Sequence, residues 1–341
     1  MRLPVNLPSP VGKSHDELLS CLLREEYGRL PERPHTVKAT VTTEEKSFCA
    51  GKASFYHMTL HCTADFGEFS FPFRYVCPKN VERPVPAFLH IKFRPEVPDR
   101  YQPTEEIIDE GFAVVSFCYK DVTSDDGDFE NGLAGVVYKD GKRKETDCGK
   151  IGLWAWAAMA LTDYLTTCPE IDESRITVIG HSRLGKTALL VGALDDRLYC
   201  AISNDSGCSG AALSRGKGGE TIRKITDRFP YWFCERYLRY ADREDDQPFD
   251  QHFLLAANAA HRVYVASAAE DLWADPQSEF LACVAASEYF ASVGKIGLVT
   301  EDRLPEIGEA LHGGDIGYHL RPGTHYLSRD DWKHFFAFLR K

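Results

Sequence analysis

Residues 176–187 read ITVIGHSRLGKT, a short apolar run that passes through a serine, Ser182, into a segment with helical periodicity. The β-branched run is typical of a buried strand, and the residues that follow favour a helix. A serine on such a sharp strand-to-helix turn exposes its hydroxyl above the end of the sheet. Glycine flanks the turn at Gly180 and at Gly185, although the second glycine of the common G-x-S-x-G form would be residue 184. The stretch predicts a nucleophilic serine.

The same residues allow a second interpretation. Gly180–Thr187 satisfies G-x-x-x-x-G-K-[ST], the pattern of a phosphate-binding loop. Several predicted strands precede this match, whereas such loops usually lie early in a domain. The one later apolar run that ends in an aspartate, Tyr199–Asp205, follows too closely. A P-loop-like nucleotide binder is therefore an alternative that these observations disfavour.

Strands and helices alternate on both sides of this stretch. Predicted strands are Pro86–Ile91, Gly111–Tyr119, Arg175–Gly180, Tyr199–Ser203, Val263–Ser267 and a last one near Ile316–Leu320. Predicted helices are Thr104–Glu110, Leu153–Thr167, Leu184–Leu194 and Asp330–Leu339, and a polar loop is expected over about 121–150. This alternation predicts an α/β fold with a mostly parallel central sheet between layers of helices.

The N-terminal part has a different texture. We expect one helix, Ser14–Tyr27, and then an antiparallel β extension formed by Thr36–Thr43, Ala53–Cys62 and Glu68–Val76. We predict a single domain over residues 1–341, with the helix and meander in 1–83 and a catalytic core in 84–341. The core contains an insertion at about 207–250, which forms either a wall over the site or a surface helix pair.

Composition excludes several classes of function. The formal net charge is −11 and no run is rich in Lys and Arg, so nucleic acid is not an expected partner. No stretch is apolar enough for a membrane span or a signal peptide, which favours a cytoplasmic protein, or a secreted one if a leader lies outside the given sequence. Eleven scattered cysteines without CxxC pairs predict reduced thiols and no zinc site. We expect no metal or organic cofactor, and the oligomeric state is not predicted.

A serine nucleophile needs a base and an acid that orients this base. His325 follows Pro-Gly-Thr just before the last predicted helix, the position that such a base takes in this kind of sheet. Asp205 and Asp271 both follow predicted strands and are the two candidate acids. Asp271 is favoured because it follows the later strand, and Asp205 stays open.

Four blocks, in this order, resemble the glucuronoyl esterases, carbohydrate esterase family 15, of the bacterial type. They are GHSRLGK at 180–186, NDSGCSGAA at 204–212, ASAAEDLWADP at 266–276 and GTH at 323–325. The resemblance implies an α/β-hydrolase fold and hydrolysis of esters of (4-O-methyl-)glucuronic acid, as in glucuronoxylan–lignin linkages or imported fragments of them. The partner is then a small-molecule or oligosaccharide substrate. The nearest alternative is an acetyl-xylan or other carbohydrate deacetylase.

The resemblance also implies roles for residues around the serine. It assigns Ser182 as nucleophile, His325 as base, Asp205 or Asp271 as acid, Arg183 as an oxyanion ligand, and Lys186, Glu220 and Trp273 as sugar contacts. Elementary chemistry agrees for several of them. Arg183 begins a predicted helix and can face developing negative charge, and Lys186 lies one helical turn from the serine. Trp273 can stack on a sugar ring or belong to the core.

Overall fold

A mixed sheet of ten strands runs through residues 2–79, 81–82 and 84–341, the part of the chain that the computed structural model describes. The strands are β1 Thr36–Phe48, β2 Ala53–Ala64, β3 Gly67–Pro78, β4 Val85–Lys92, β5 Ala113–Cys118, β6 Ile171–His181, β7 Cys200–Asn204, β8 Arg262–Ala268, β9 Ala310–Leu311 and β10 Ile316–Arg321. Their spatial order is β1-β2-β3-β5-β4-β6-β7-β8-β10-β9. From β5 to β10 in this order all neighbours are parallel, so the predicted α/β class is confirmed.

The N-terminal meander extends the same sheet. Strands β1, β2 and β3 pair antiparallel, and β3 then pairs antiparallel with β5. Strand β1 is longer than predicted and continues to Phe48, although Glu44–Ser47 are polar and exposed. Backbone pairing with β2 holds this edge segment, so its polar side chains cost little.

Nine α-helices lie in the described part of the chain. They are α1 His15–Leu22, α2 Thr104–Asp109, α3 Gly132–Val137, α4 Lys150–Leu165, α5 Arg183–Leu194, α6 Ile222–Arg228, α7 His252–Ala256, α8 Pro276–Ser292 and α9 Arg329–Leu339. The predicted helix Ser14–Tyr27 becomes a π-helical turn after Leu22. Among these helices, none has the length and apolar character needed to cross a bilayer.

Four helices were missed by the sequence prediction: α3, within the predicted polar loop, α6, within an insertion whose helices were given no bounds, the short α7, and α8. Helix α8 is the largest miss, although its start carries two ordinary signals. Asp275 caps it by accepting a hydrogen bond from Ser278 N, and Pro276 occupies its first position. Its buried face includes the polar residues Ser278 and Glu279, and its outer face includes the apolar residues Val284 and Ala291 beside Gln277 and Glu288. Such a helix shows no amphipathic period, which is the feature that sequence reasoning uses.

Two buried apolar clusters lie on opposite faces of the sheet, because alternate residues of a strand point to opposite sides. In β4, Leu89 belongs to the cluster built on α4 and α5, whereas Phe88 belongs to the cluster built on α2 and α9. This packing on both faces fixes the carboxyl ends of β6, β7, β8 and β10 at one edge of the sheet. Parallel sheets bind ligands at that edge.

Candidate active site

Ser182 lies alone between the end of β6 at His181 and the start of α5 at Arg183. Its backbone has φ 57° and ψ −128°, a conformation that costs a non-glycine residue about 1–3 kcal/mol. Two features hold it there. Ser182 N donates to Asn204 O at 2.8 Å. A Cβ at Gly180 would lie 2.0 Å from the carbonyl oxygen of Leu184, so only glycine allows this close approach.

This geometry contradicts the phosphate-loop alternative. A phosphate cradle needs several consecutive N–H groups curled between the strand and the helix, whereas one residue separates β6 from α5. The ammonium group of Lys186 donates instead to the carbonyl oxygens of Ser206 and Cys208. The P-loop-like prediction is therefore wrong.

His325 and Asp271 form a direct pair. Nδ1 of His325 lies 2.6 Å from Oδ2 of Asp271, and Oδ1 of Asp271 accepts from Ala274 N at 3.2 Å. Burial raises the pKa of this carboxyl, but the hydrogen bond to His325 and the charge of that ring outweigh burial, so the pKa lies below its ordinary value. Because Nδ1 is engaged, Nε2 is the ring nitrogen left to exchange a proton with a nucleophile.

Asp205, the other candidate acid, has different partners. Its Oδ2 accepts from Arg321 Nη2 at 3.2 Å and from Tyr326 N at 3.3 Å. Its Oδ1 is buried and has no hydrogen-bond partner among the described residues. Burial, and then the nearby charge of Glu279, raise the pKa of Asp205 well above its ordinary value. Asp205 therefore holds the backbone of the loop that carries His325. The imidazole itself is bound by Asp271.

His181 is a site residue that sequence reasoning missed. Its ring centroid lies 4.4 Å from that of His325, and its Nδ1 is 2.6 Å from Oδ1 of Asn204. Burial, followed by the charge of His325, lowers the pKa of His181 to about 3, so it is neutral near pH 7. It supplies one wall against which the His325 ring packs. Its place directly before Ser182 was the available signal.

One cavity of about 300 Å³ contains all eight predicted site residues. Its lining consists of Ser182, Arg183, Lys186, Asp205, Ser206, Gly207, Glu220, Arg228, Phe229, Trp232, Asp271, Trp273, Ala274 and His325. A larger groove of about 520 Å³ lies elsewhere, but neither Ser182, His325 nor the two candidate acids line it. The smaller cavity therefore contains the predicted nucleophile, the predicted base and both candidate acids.

The proposed sugar contacts differ in character. Lys186 is buried rather than an exposed lysine, and burial lowers its pKa even though the negative charge of Glu220 opposes this effect. Glu220 is also buried, and its backbone N donates to Trp273 O at 2.9 Å. Trp273 keeps 47% of its surface exposed, so it stands at the cavity rim and not in the core. The three side chains can offer hydrogen bonds and a flat apolar face.

The insertion forms a wall of the cavity and not a remote surface helix pair. Arg228, Phe229 and Trp232 line the cavity, and the rings of Phe229 and Trp232 stack with centroids 3.9 Å apart. The guanidinium of Arg183 lies 4.6 Å from the Trp232 ring. Arg183 also forms an ion pair with Asp125, a second residue that sequence reasoning missed. The aromatic composition of the insertion was the signal for the wall.

Asp205, Asp271 and His325 form the one group of three potential metal ligands found in the described part of the chain, with ligand atoms within 4.8 Å of one another. A metal held by them would have to replace the bond between His325 and Asp271 and the ion pair between Asp205 and Arg321. We assign no metal chemistry to this group.

Comparisons with known proteins agree on one family. A family model described as fungal glucuronyl esterase matches residues 60–294. The carbohydrate esterase MZ0003, from an unknown prokaryotic organism, is 42% identical over 69% of this chain and 54% of its own length. A 4-O-methyl-glucuronoyl methylesterase of Hypocrea jecorina is 26% identical over 82% of this chain and 57% of its own length. The chain thus spans about half the length of these curated relatives.

Among solved structures, a glucuronoyl esterase from Solibacter usitatus superposes with a TM-score of 0.89 at 30% identity. The superposition covers 100% of this chain and 97% of that chain.

Proposed function

We propose that this chain, which belongs to the glucuronoyl esterase family, hydrolyses esters of (4-O-methyl-)glucuronic acid. Its motifs predicted this family, and the structure has the α/β-hydrolase fold that they implied. The observation that carries this proposal is one cavity in which the Ser182 turn meets the hydrogen-bonded pair of His325 and Asp271. The family supplies the substrate class, and the cavity supplies the groups that acyl transfer requires.

In the first half of the reaction, Oγ of Ser182 attacks the ester carbonyl carbon while Nε2 of His325 takes its proton. The ring then carries a positive charge, which the carboxylate of Asp271 stabilises at Nδ1. The buried Asp271 is suited to this role because its pKa lies below the ordinary value, so it stays ionised.

The tetrahedral intermediate carries a negative oxygen. The backbone N–H of Arg183 starts helix α5 directly after the nucleophile, the position from which an elbow donates to this oxygen. Its guanidinium lines the same cavity and adds a cationic donor. Loss of one such donor typically costs about 10²–10³ in kcat.

The intermediate collapses when the bond to the alcohol breaks and His325 returns its proton to the leaving oxygen. In the second half, His325 takes a proton from water, and the resulting hydroxyl attacks the acyl carbon. His325 then returns this proton to Oγ of Ser182 as the acyl bond to the serine breaks. The free uronic acid leaves, and the serine hydroxyl is restored. Every proton in the cycle passes through the imidazole of His325, which lines the cavity.

We propose that Trp273 stacks on the uronate ring and that Glu220 accepts from its hydroxyl groups. Lys186 uses two of the three donors of its ammonium group on the carbonyls of Ser206 and Cys208. The third donor can reach a sugar hydroxyl. Lys186 therefore both shapes the cavity and binds substrate.

The test compares Ser182→Ala with wild type on benzyl and methyl esters of glucuronic acid. We expect turnover to vanish in the variant, while Ser174→Ala, an exposed serine at the other end of β6, behaves as wild type. Wild-type-like turnover by Ser182→Ala would contradict the mechanism. If acetate is released from acetyl-xylooligosaccharides faster than alcohol is released from the uronate esters, the protein is a carbohydrate deacetylase instead.

A further inference from the structure

Asp125 lies on the loop after β5 and brings three separate segments together. Its Oδ2 accepts from the hydroxyl of Tyr119 at 2.9 Å and from Nη1 of Arg183, and its Oδ1 accepts from Nε1 of Trp232 at 2.8 Å. The carboxylate is almost fully buried, at 8% exposure. One acid thus connects the end of a strand, the first residue of the nucleophile helix and the cavity wall.

The guanidinium of Arg183 is held on two sides. Asp125 binds Nη1, and the rings of Trp232 and Phe229 lie 4.6 and 5.2 Å from its central carbon. A free arginine side chain samples many rotamers, and this arrangement restricts them before substrate binds. Nη1 is occupied, whereas Nε has no hydrogen-bond partner among the described residues.

We propose that Asp125 is a positioning residue for the proposed ester hydrolysis, because it fixes the Arg183 guanidinium beside the carbonyl that Ser182 attacks. A donor that is already oriented stabilises developing charge without reorganisation. The same carboxylate holds Trp232, so the wall and the oxyanion donor are set by one group. This inference rests on the proposed function.

The substitution Asp125→Asn separates orientation of Arg183 from support of the wall. An asparagine can keep Oδ1 for the indole N–H of Trp232, and its amide nitrogen then faces the guanidinium. The amide nitrogen and the guanidinium are both donors, and the negative charge of the carboxylate is lost. Arg183 is therefore released, while the hydrogen bond from Trp232 is kept. Tyr119→Phe is the matched control, since it removes another donor to the same carboxylate and leaves the ion pair intact.

The measurement is a double-mutant cycle with Arg183→Ala, scored as kcat and KM on benzyl glucuronate. We expect Asp125→Asn to lower kcat about tenfold with KM within about twofold, because the lost interaction acts in the transition state. In the Arg183→Ala background the same substitution should change kcat by less than about twofold, since coupled residues are not additive. Tyr119→Phe should stay within about threefold of wild type. A purely structural role would lower the melting temperature without this coupling.

Several results would overturn the inference. They are wild-type kcat in Asp125→Asn, an equal loss in both backgrounds, or an Arg183→Ala variant that turns over like wild type. The proposed function is judged separately. A wild-type protein without activity on benzyl glucuronate contradicts that function, whereas an active wild type with an uncoupled Asp125 contradicts only this inference.

Discussion

Asp205 and Asp271 follow adjacent parallel strands, β7 and β8, at the same edge of the sheet, and both are buried. Their environments nevertheless differ. Asp271 bonds to His325 and has a pKa below its ordinary value, whereas burial and the charge of Glu279 raise the pKa of Asp205 well above its ordinary value. The position of an aspartate in the sheet topology is therefore not enough to propose it as the catalytic acid. The hydrogen-bond partner of each carboxylate is the feature that distinguishes the two.

Arg321 makes the environments of the two acids different, because it donates to Asp205. Its Nε donates to both oxygens of Asp331 at 3.0 and 2.9 Å, and its Nη2 donates to Asp205. Because Asp331 makes two of these hydrogen bonds, the positive charge of Arg321 is shared between two carboxylates. Its effect on Asp205 does not outweigh the burial that raises the pKa of this acid. We propose Asp271 as the acid of the triad and Asp205 as a support for the loop that carries His325.

The largest expected difference between the two acids is catalytic. We predict that Asp271→Asn lowers kcat on benzyl glucuronate by about 10³–10⁴, because an amide cannot hold the required imidazole tautomer or stabilise its charge. The matched change Asp205→Asn should lower kcat by less than about tenfold, since its amide resembles a protonated carboxyl. Steady-state kinetics of both variants, with circular dichroism to verify folding, make the comparison. Equal losses would erase the distinction between the two carboxylates.

A smaller effect concerns Glu279, a fully buried residue that accepts from Gly207 N and from Ser267 Oγ. Burial raises its pKa from 4.5 to about 7, so the folded state binds more protons than the unfolded state between these values. Stability from this group is therefore lost as pH rises from 4.5 through 7. We predict that Glu279→Gln gains up to about 3 kcal/mol relative to wild type between pH 5 and pH 8.

Urea unfolding of both proteins at the two pH values measures this gain. The exposed Glu288 on the same helix gives the control, Glu288→Gln, for which no such gain is expected. A difference between Glu279→Gln and wild type that stays constant from pH 5 to pH 8 would show that Glu279 is ionised throughout. Its charge would then be a fixed part of the environment that distinguishes Asp205 from Asp271.

Local signals in the sequence were enough to propose Ser182 and His325, because neighbouring residues indicate a strand-to-helix turn at one and a loop before the last helix at the other. They could not choose between Asp205 and Asp271. That choice depends on Arg321, which lies 116 residues from Asp205 along the chain, and on the left-handed backbone of Asp205 at φ 46°. No periodicity reports either feature.

Asp125 was missed for the same reason. Its three donors, Tyr119, Arg183 and Trp232, lie 6, 58 and 107 residues away, so the cluster exists only in the folded chain. Helix α8 was missed because polar residues on its buried face and apolar residues on its outer face blur its amphipathic pattern. The prediction of one domain over residues 1–341 stays a prediction, which the continuous sheet from β1 to β10 supports.

We propose that His325 and Asp271 share the proton at Nδ1 of the imidazole. Proton NMR at low temperature observes such a proton far downfield of the amide region when its hydrogen bond is short and charge-assisted. The resonance is expected in wild type and in Asp205→Asn, and it should be absent from Asp271→Asn. A resonance that survives in Asp271→Asn and disappears in Asp205→Asn would make Asp205 the partner of His325 and overturn the assignment of Asp271 as the acid.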